Sequence, residues 1–195
     1  MVQSTSVSLL DRLARSGDNS DWQKLLVIYR PFIEHVVRGY PALASHADDV
    51  AQEVLMVLMR ELPVFQRQRT GSFRAWLRNV TVNQLRTAMR KVKRSHPLGD
   101  FASSLEQVES LADPASMASK RWDEEHDRAV MQKVIELVRP TVQAQTWLAF
   151  ERYVIADEPP SKVASELGIS LNSVLLAKSR VLRRMREEAK GLVDD

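Results

Sequence analysis

The chain has 195 residues, which suits one ordinary domain or two small ones. Hydrophobic residues make up 44% of it, enough for a packed core, and its formal net charge is only +3. It contains no cysteine, which excludes a disulfide scaffold, a thiol nucleophile and a cysteine-ligated zinc site. No apolar run approaches the roughly 20 residues of a membrane span. We therefore expect a cytoplasmic protein that has no membrane partner.

The charged residues are segregated along the chain. Residues 60–94 carry ten bases and one acid, residues 106–136 carry eight acids and four bases, and residues 176–190 carry six bases and two acids. Basic stretches attract polyanions such as nucleic acids. Solvated helix faces carry the same residues, so charge alone leaves both interpretations open.

Apolar periodicity predicts helices in the first half of the chain. Ser20 or Asp21 is placed to cap a first helix, which Pro31 kinks or restarts. A second helix covers residues 47–62, where apolar side chains recur at helical spacing. The spacing of these residues favours an all-α fold, since no long alternation of apolar and polar residues occurs.

A third helix begins at Ser72, its predicted N-cap, and runs to about Arg94. Its apolar residues cover two faces, so we expect it to lie inside a bundle or to offer one face to a partner. Residues 95–119 contain prolines, a glycine and several serines without a sustained apolar period, which predicts a linker. Helices are expected to resume near Lys120.

The strongest local motif lies in residues 160–188. Ala164, Gly168 and Val174 have the spacing of a helix-turn-helix. In that motif a small residue lets two helices approach, a glycine makes the turn in the left-handed conformation, and an aliphatic residue locks the second helix onto the first. A helical hairpin with a basic exterior is the alternative.

The second helix of this motif is predicted to have an apolar inner face and a polar outer face, with Ser161 and Ser170 as the N-caps of the two helices. The inner face comprises Leu171, Val174, Leu175, Val181, Leu182 and Met185. The outer face, predicted to bind DNA, comprises Ser170, Asn172, Ser173, Leu176, Ala177, Arg180, Arg183 and Arg184. Arg and Asn can read purine edges, an exposed Leu or Ala can meet a thymine methyl, and further arginines can hold phosphates.

The order of these segments resembles a bacterial RNA polymerase sigma factor of the extracytoplasmic-function (ECF) group of the sigma-70 family. The run HADDVAQEV at 46–54 resembles the acidic helix of the family's region 2, and residues 22–31 resemble the opening helix of that region. The run GSFRAWLRNVTVNQLR at 71–86 resembles its promoter-melting segment. Residues 160–188 resemble its region 4 helix-turn-helix, and the resemblance spans residues 8–190.

The resemblance implies an all-α protein of two small helical domains joined by a flexible linker. Region 2, a helical bundle, would occupy residues 1–94, the linker residues 95–119, and region 4 residues 120–195. The implied function is that of a promoter-specificity subunit, which binds the β′ clamp helices and β flap of core RNA polymerase as well as promoter DNA. Many relatives are also held by an anti-sigma factor.

The resemblance also assigns residues to these tasks. Docking on polymerase falls to Asp48, Asp49, Gln52 and Glu53. Recognition and melting of the start-proximal (−10) element falls to Arg67, Arg69, Arg74, Arg78, Asn83, Arg86, Arg90 and Lys91. The outer face of the helix-turn-helix would read the upstream (−35) element. In the free chain we expect the two domains to close on each other, with the acidic linker near basic surfaces.

Two other functional classes, a DNA-binding regulator and an enzyme, are the alternatives to a sigma factor. A helix-turn-helix regulator that does not associate with polymerase shares the C-terminal motif, but it does not explain the acidic and basic helices of the first half. An enzyme is disfavoured, because nucleotide-binding and hydrolase motifs are missing and the four histidines lack ligand spacing. We expect no catalytic residues, no metal and no cofactor.

Overall fold

The structure, a computed structural model, describes residues 9–15, 17–65, 72–96, 101–190 and 192–193. Within these residues it contains α-helices and short helical turns but no strand, so the predicted all-α class is confirmed. The α-helices are α1 (Leu9–Arg15), α2 (Asn19–Arg38), α3 (Ala47–Glu61), α4 (Ser72–Ser95), α5 (Ala102–Ala112), α6 (Met117–Val138), α7 (Ala144–Phe150), α8 (Pro160–Leu167) and α9 (Leu171–Ala189). None of the described helices is long and apolar enough to cross a membrane.

Helix α2 begins earlier than the sequence pattern indicated. Asp18 is its N-cap, and its carboxylate accepts a hydrogen bond from the backbone N–H of Asp21 at 2.8 Å. The predicted caps at Ser20 and Asp21 are therefore wrong, because the first turn already contains both residues. The helix also runs unbroken through Pro31 rather than restarting there.

Helices α3 and α4 match the predicted helices closely and pack against each other. In α3 the buried residues Val50, Val54 and Leu58 recur every four positions and face α2 and α4. Helix α4 buries residues on two faces, as its pattern predicted, with Phe73 and Leu85 both almost fully buried. Residues on both sides of α4 thus belong to the same hydrophobic core.

The segment predicted as a linker contains helix α5. Val108 and Leu111 of this helix are buried, so the expectation that helices resume only near Lys120 is wrong. Ser119 fixes the turn into α6, because its hydroxyl donates to the carbonyls of Leu111 at 3.0 Å and Asp113 at 2.6 Å. The division into two domains stays a prediction.

The segment predicted as a helix-turn-helix folds into helices α8 and α9, which are joined by a short turn. Gly168 has φ +64°, the left-handed conformation expected at this turn, and Ser170 accepts a hydrogen bond from the N–H of Ser173 at 3.1 Å as the N-cap of α9. Helix α8 begins at Pro160 rather than after a Ser161 cap. A proline suits the first helical position because its fixed φ is helical and its missing N–H would have no partner there.

The described residues form two hydrophobic clusters. A small cluster lies inside the helix-turn-helix and is composed of Ala149, Val163, Ala164, Val174 and Ala177. The large cluster runs from Leu9 to Leu192 and includes Val181 and Met185 of α9. Helix α6 packs against α2 and α4 as well as against α9, so it lies between the first half of the chain and the end of the helix-turn-helix.

Candidate nucleic-acid interface

The four residues assigned to polymerase docking share the exposed face of α3. Asp48, Asp49, Gln52 and Glu53 are all exposed, and Arg30 of α2 donates a hydrogen bond to Asp48 at 2.5 Å. The structure therefore brings this set together as one acidic strip. An acidic strip on a rigid helix is chemically suited to a basic protein partner.

A groove of about 430 Å³ separates the acidic strip from the second half of α4. Asp49, Gln52 and Glu53 line one wall, while Lys91 lies on the opposite wall. Lys91 was assigned to the start-proximal DNA from the sequence. In the structure it lines the same groove as the docking residues.

The basic face of α4 is covered by acids of α5 and α6. The Arg74 guanidinium donates to Asp127 at 2.7 Å and lies 3.2 Å from the carboxylate of Asp123. Arg78 donates to the same Asp123 carboxylate at 3.1 Å. These pairs join α4 to the N-terminal half of α6 at positions that are 45 to 53 residues apart in the chain.

A second contact closes the other end of this face. Arg86 donates two parallel hydrogen bonds to Glu109 of α5, at 2.9 Å and 2.5 Å. Bidentate geometry of this kind is also how a guanidinium holds a phosphate. The pair places an acid of the predicted linker beside a base of α4, while closure of two domains on each other stays a prediction.

The remaining residues assigned to the start-proximal element divide into three groups. Arg78 is only 6% exposed, and its Nε finds no hydrogen-bond partner among the described residues. Asn83 and Arg90 are exposed on α4. Arg67 and Arg69 lie outside the described residues. The assignment of this set to DNA stays a prediction, and the arginines with acidic partners are not freely presented in this conformation.

A buried hydrogen-bonded chain supports the contact between α2, α6 and α4. The fully buried His126 ring lies 3.2 Å from the Tyr29 hydroxyl through Nε2 and 2.9 Å from Asp127 through Nδ1. Because an ionised carboxylate only accepts, Nδ1 donates to Asp127, and this tautomer leaves Nε2 to accept from the Tyr29 hydroxyl. Asp127 in turn holds Arg74.

Burial and neighbouring charges set the protonation of Tyr29 and Asp127, the two ends of this hydrogen-bonded series. Burial raises the pKa of Tyr29 well above its ordinary value, so its hydroxyl keeps the proton that it donates. Burial also acts to raise the pKa of Asp127, but hydrogen bonds from His126 and Arg74 outweigh it and lower that pKa. Asp127 therefore remains an anion that can pair with Arg74.

Helix α9 presents most of the predicted upstream-element residues to solvent. Asn172, Ser173, Arg180 and Arg183 are exposed, as is the N-cap Ser170. Arg184 is exposed too, and its guanidinium donates to the backbone carbonyl of Thr141 at 3.2 Å. The structure thus arranges polar and basic groups along one side of the helix.

The predicted division of α9 into faces is wrong at three positions. Ala177 is only 4% exposed and belongs to the small cluster, whereas Leu171 and Leu175, predicted to face inward, are 48% and 45% exposed. The buried residues follow the spacing of Val174, Ala177 and Val181, which leaves the leucines on the outside. Ala177 therefore contributes to packing in this structure.

Sequence reasoning missed a charge cluster at the entrance of the helix-turn-helix. Arg152 donates to Glu158 at 2.8 Å and 2.6 Å and also pairs with Glu166 of α8. Hydrogen bonds from Arg152 hold the pKa of Glu158 at about 2. The cluster ties the turn after α7 to α8, and only the mixture of charges in residues 151–166 could have indicated it.

Lys178 of α9 is half-buried. Its ammonium lies 5.1 Å from the centre of the Tyr153 ring. Such a contact is a cation–π interaction, which leaves the aliphatic stem along the packing surface.

Comparison with known proteins concerns the first half of this arrangement. Residues 25–95, from α2 to the end of α4, match the sequence model of Sigma-70 region 2. The chain is thus similar to this family over residues 25–95. The acidic strip of α3 and all the candidate DNA residues of α4 lie within this range, whereas Glu109, Asp123 and Asp127 lie beyond its end.

Two curated proteins are similar to the chain over part of their length. It is 25% identical over 117 residues to the RNA polymerase sigma-H factor of Bacillus subtilis (strain 168), an alignment that covers 59% of this chain and 48% of that protein. It is also 25% identical over 117 residues to the RNA polymerase sigma-H factor of Bacillus licheniformis, covering 59% of this chain and 47% of that protein. The chain thus spans about half the length of the curated relatives that it matches.

Proposed function

We propose that this chain is a promoter-specificity subunit of the ECF group, which binds core RNA polymerase and directs transcription initiation. The observation that carries the proposal is the region 2 match over α2 to α4 in the same chain as a helix-turn-helix with a basic outer face. A regulator that only binds DNA would need the second feature but not the first. The chain would work in the cytoplasm, where polymerase acts, as a binding subunit rather than an enzyme.

Docking is proposed to use the acidic strip of α3. Asp49 and Glu53 are like charges one helical turn apart, an arrangement that mildly destabilises an isolated helix and that a basic partner relieves. Both are exposed, so such a partner reaches them without rearrangement. The β′ clamp helices are the proposed partner, and region 4 would contact the β flap.

Promoter DNA is proposed to contact both halves of the chain. In the start-proximal element, Arg74, Arg78 and Arg86 would exchange their carboxylate partners for phosphates or unstacked bases. In the upstream element, the first turns of α9 would enter the major groove, with Asn172 and Arg180 towards base edges. The two contacts together would fix the position of polymerase on the promoter.

Reconstitution with core polymerase tests this function. The full chain is mixed with core polymerase and a genomic DNA library, and transcript starts are mapped with and without it. Transcription from discrete sites only when the chain is present is the expected result. A stable homodimer that binds palindromic DNA and has no affinity for polymerase would instead identify a helix-turn-helix regulator.

A further inference from the structure

Three leucines in the first two turns of α9 face solvent. Leu171, Leu175 and Leu176 are 48%, 45% and 41% exposed. The small cluster under the helix is already filled by Val174 and Ala177, so the leucines are not needed to hold the helix-turn-helix together. Large apolar side chains grouped in this way on a monomer indicate a binding surface.

The surroundings of the leucines indicate which kind of partner they meet. Residues 171–186 contain five basic residues and no acid. Leu176 lies one turn from Asn172 and one turn from Arg180, so apolar and hydrogen-bonding groups alternate along one row of the helix. A strongly basic helix face favours a polyanion, and major-groove edges of duplex DNA present both hydrogen-bonding groups and methyl groups.

We infer that Leu171, Leu175 and Leu176 read thymine 5-methyl groups in the upstream element. The inference rests on the proposed function. The thymine methyl is the apolar group that base pairs present in the major groove, and an aliphatic side chain recognises it by excluding water. Cytosine, adenine and guanine lack this methyl group, so the leucines would favour thymine over them.

Helix geometry limits how many base pairs the leucines reach. At a rise of 1.5 Å per residue, positions 171 and 176 are about 7.5 Å apart along the axis, which equals about two base-pair steps. A hollow of about 220 Å³ beside Leu176, lined by Gln145, Thr146 and Arg180 among others, supplies polar groups for an adjacent base edge. The preferred site should therefore hold thymine within a window of two or three adjacent base pairs.

Replacement of thymine by deoxyuridine tests the inference, because it removes the methyl group and keeps every hydrogen-bonding group. Duplexes bound by the reconstituted holoenzyme are first selected from a randomised pool. The best duplex is then resynthesised with deoxyuridine at each thymine of the upstream element, and holoenzyme affinity is measured. We expect about fourfold weaker binding for each contacted methyl, the loss that corresponds to one buried methyl group, and no loss for substitutions in the flanks.

Protein variants locate the effect. Leu175→Ser and Leu176→Ser should each lose the preference for thymine over deoxyuridine at the position that the leucine contacts and keep it at the others, while Leu148→Ser, which removes a similarly exposed leucine of α7, should keep the wild-type preference at every position. A holoenzyme that assembles and transcribes but binds both duplexes equally would overturn the inference and leave the proposed function standing. Failure to assemble with polymerase would overturn the proposed function, and the inference with it.

Discussion

Arg74 of α4 donates a hydrogen bond to Asp127 of α6 at 2.7 Å, across 53 positions of the chain. Asp127 is held by the buried His126, so this acceptor is fixed in place before any ligand binds. The Asp127 carboxylate therefore already pairs with the Arg74 guanidinium, which promoter DNA is proposed to contact. In the free chain, the acids of α6 are therefore expected to compete with DNA for the arginines of α4.

Neutralising these acids should expose α4 to DNA. The double variant Asp123→Asn/Asp127→Asn removes three ion-pair contacts to Arg74 and Arg78. At roughly 0.5 kcal/mol for each contact, we expect the free chain to bind duplex DNA about tenfold more tightly. Fluorescence anisotropy at fixed salt measures the affinity, with thermal melting to verify folding.

A control for this variant is Glu124→Gln/Glu125→Gln on the same helix, which changes the net charge equally without touching those contacts. It should increase DNA affinity much less. Unchanged DNA binding by a folded Asp123→Asn/Asp127→Asn chain would show that α6 does not compete with DNA.

Deletion of the Tyr29 hydroxyl should destabilise the fold. Tyr29→Phe leaves the ring in the core but removes the donor to the fully buried Nε2 of His126. A buried polar atom without a partner costs about 1–3 kcal/mol. Urea unfolding should report a loss of that size, and Tyr153→Phe, which keeps the ring beneath Lys178, should report little change.

Charge reversal on α3 should weaken docking without unfolding the chain. Asp49 is exposed and lines the groove beside α4, so Asp49→Lys removes an acid that packing does not require. We expect lower affinity for core polymerase in a pull-down or titration, and an unchanged melting temperature. Glu106→Lys, on the exposed side of α5, is the matched control. Normal holoenzyme assembly by Asp49→Lys would remove α3 from the docking surface.

The Arg152–Glu158 pair should give the helix-turn-helix a defined sensitivity to acid. Hydrogen bonds from Arg152 lower the pKa of Glu158 from 4.5 to about 2. Because the folded pKa is depressed, the stabilisation is complete above pH 4.5 and is lost as the pH falls towards 2. Glu158→Gln should therefore melt at a lower temperature than the native chain near neutral pH.

That difference in melting temperature should shrink as the pH falls through the same interval, because protonation of the native Glu158 removes the charge that the glutamine variant lacks at every pH. Glu106→Gln, an exposed carboxylate removed from α5, should show no such trend. A melting difference for Glu158→Gln that stays constant with pH would contradict the assignment of this stability to the ionised carboxylate.

Much of the fold could be predicted from local sequence patterns. Helices α3 and α9 were predictable because their buried residues recur at helical spacing, and Gly168 marks a turn that other residues adopt at a cost. Helix α5 was missed because serines dilute its pattern, although Leu105, Val108 and Leu111 still lie three residues apart. Leu175 and Ala177 lie on the opposite faces from those expected. Sequence periodicity does not fix the exact rotation of α9 about its axis, because that rotation depends on the helices packed against it.

The sequence predicted which charged segments contribute to the candidate site, but not which acid pairs with which arginine. The segregation of charge indicated only that the acidic linker would lie near basic surfaces. Which acid meets which arginine depends on how α6 is placed against α4, and that placement is decided by buried contacts such as Tyr29 with His126. Sequence spacing has no information on partners 45 to 53 residues apart.

Helix α6 is in contact with both ends of the molecule, so it can couple them. This helix covers α4 on one side and packs against α9 on another, so a ligand that displaces it acts on both. If polymerase raises the affinity of α9 for upstream DNA by a given factor, that DNA must raise the affinity for polymerase by the same factor. If the proposed function holds, the chain should respond most strongly when polymerase and promoter DNA are present together.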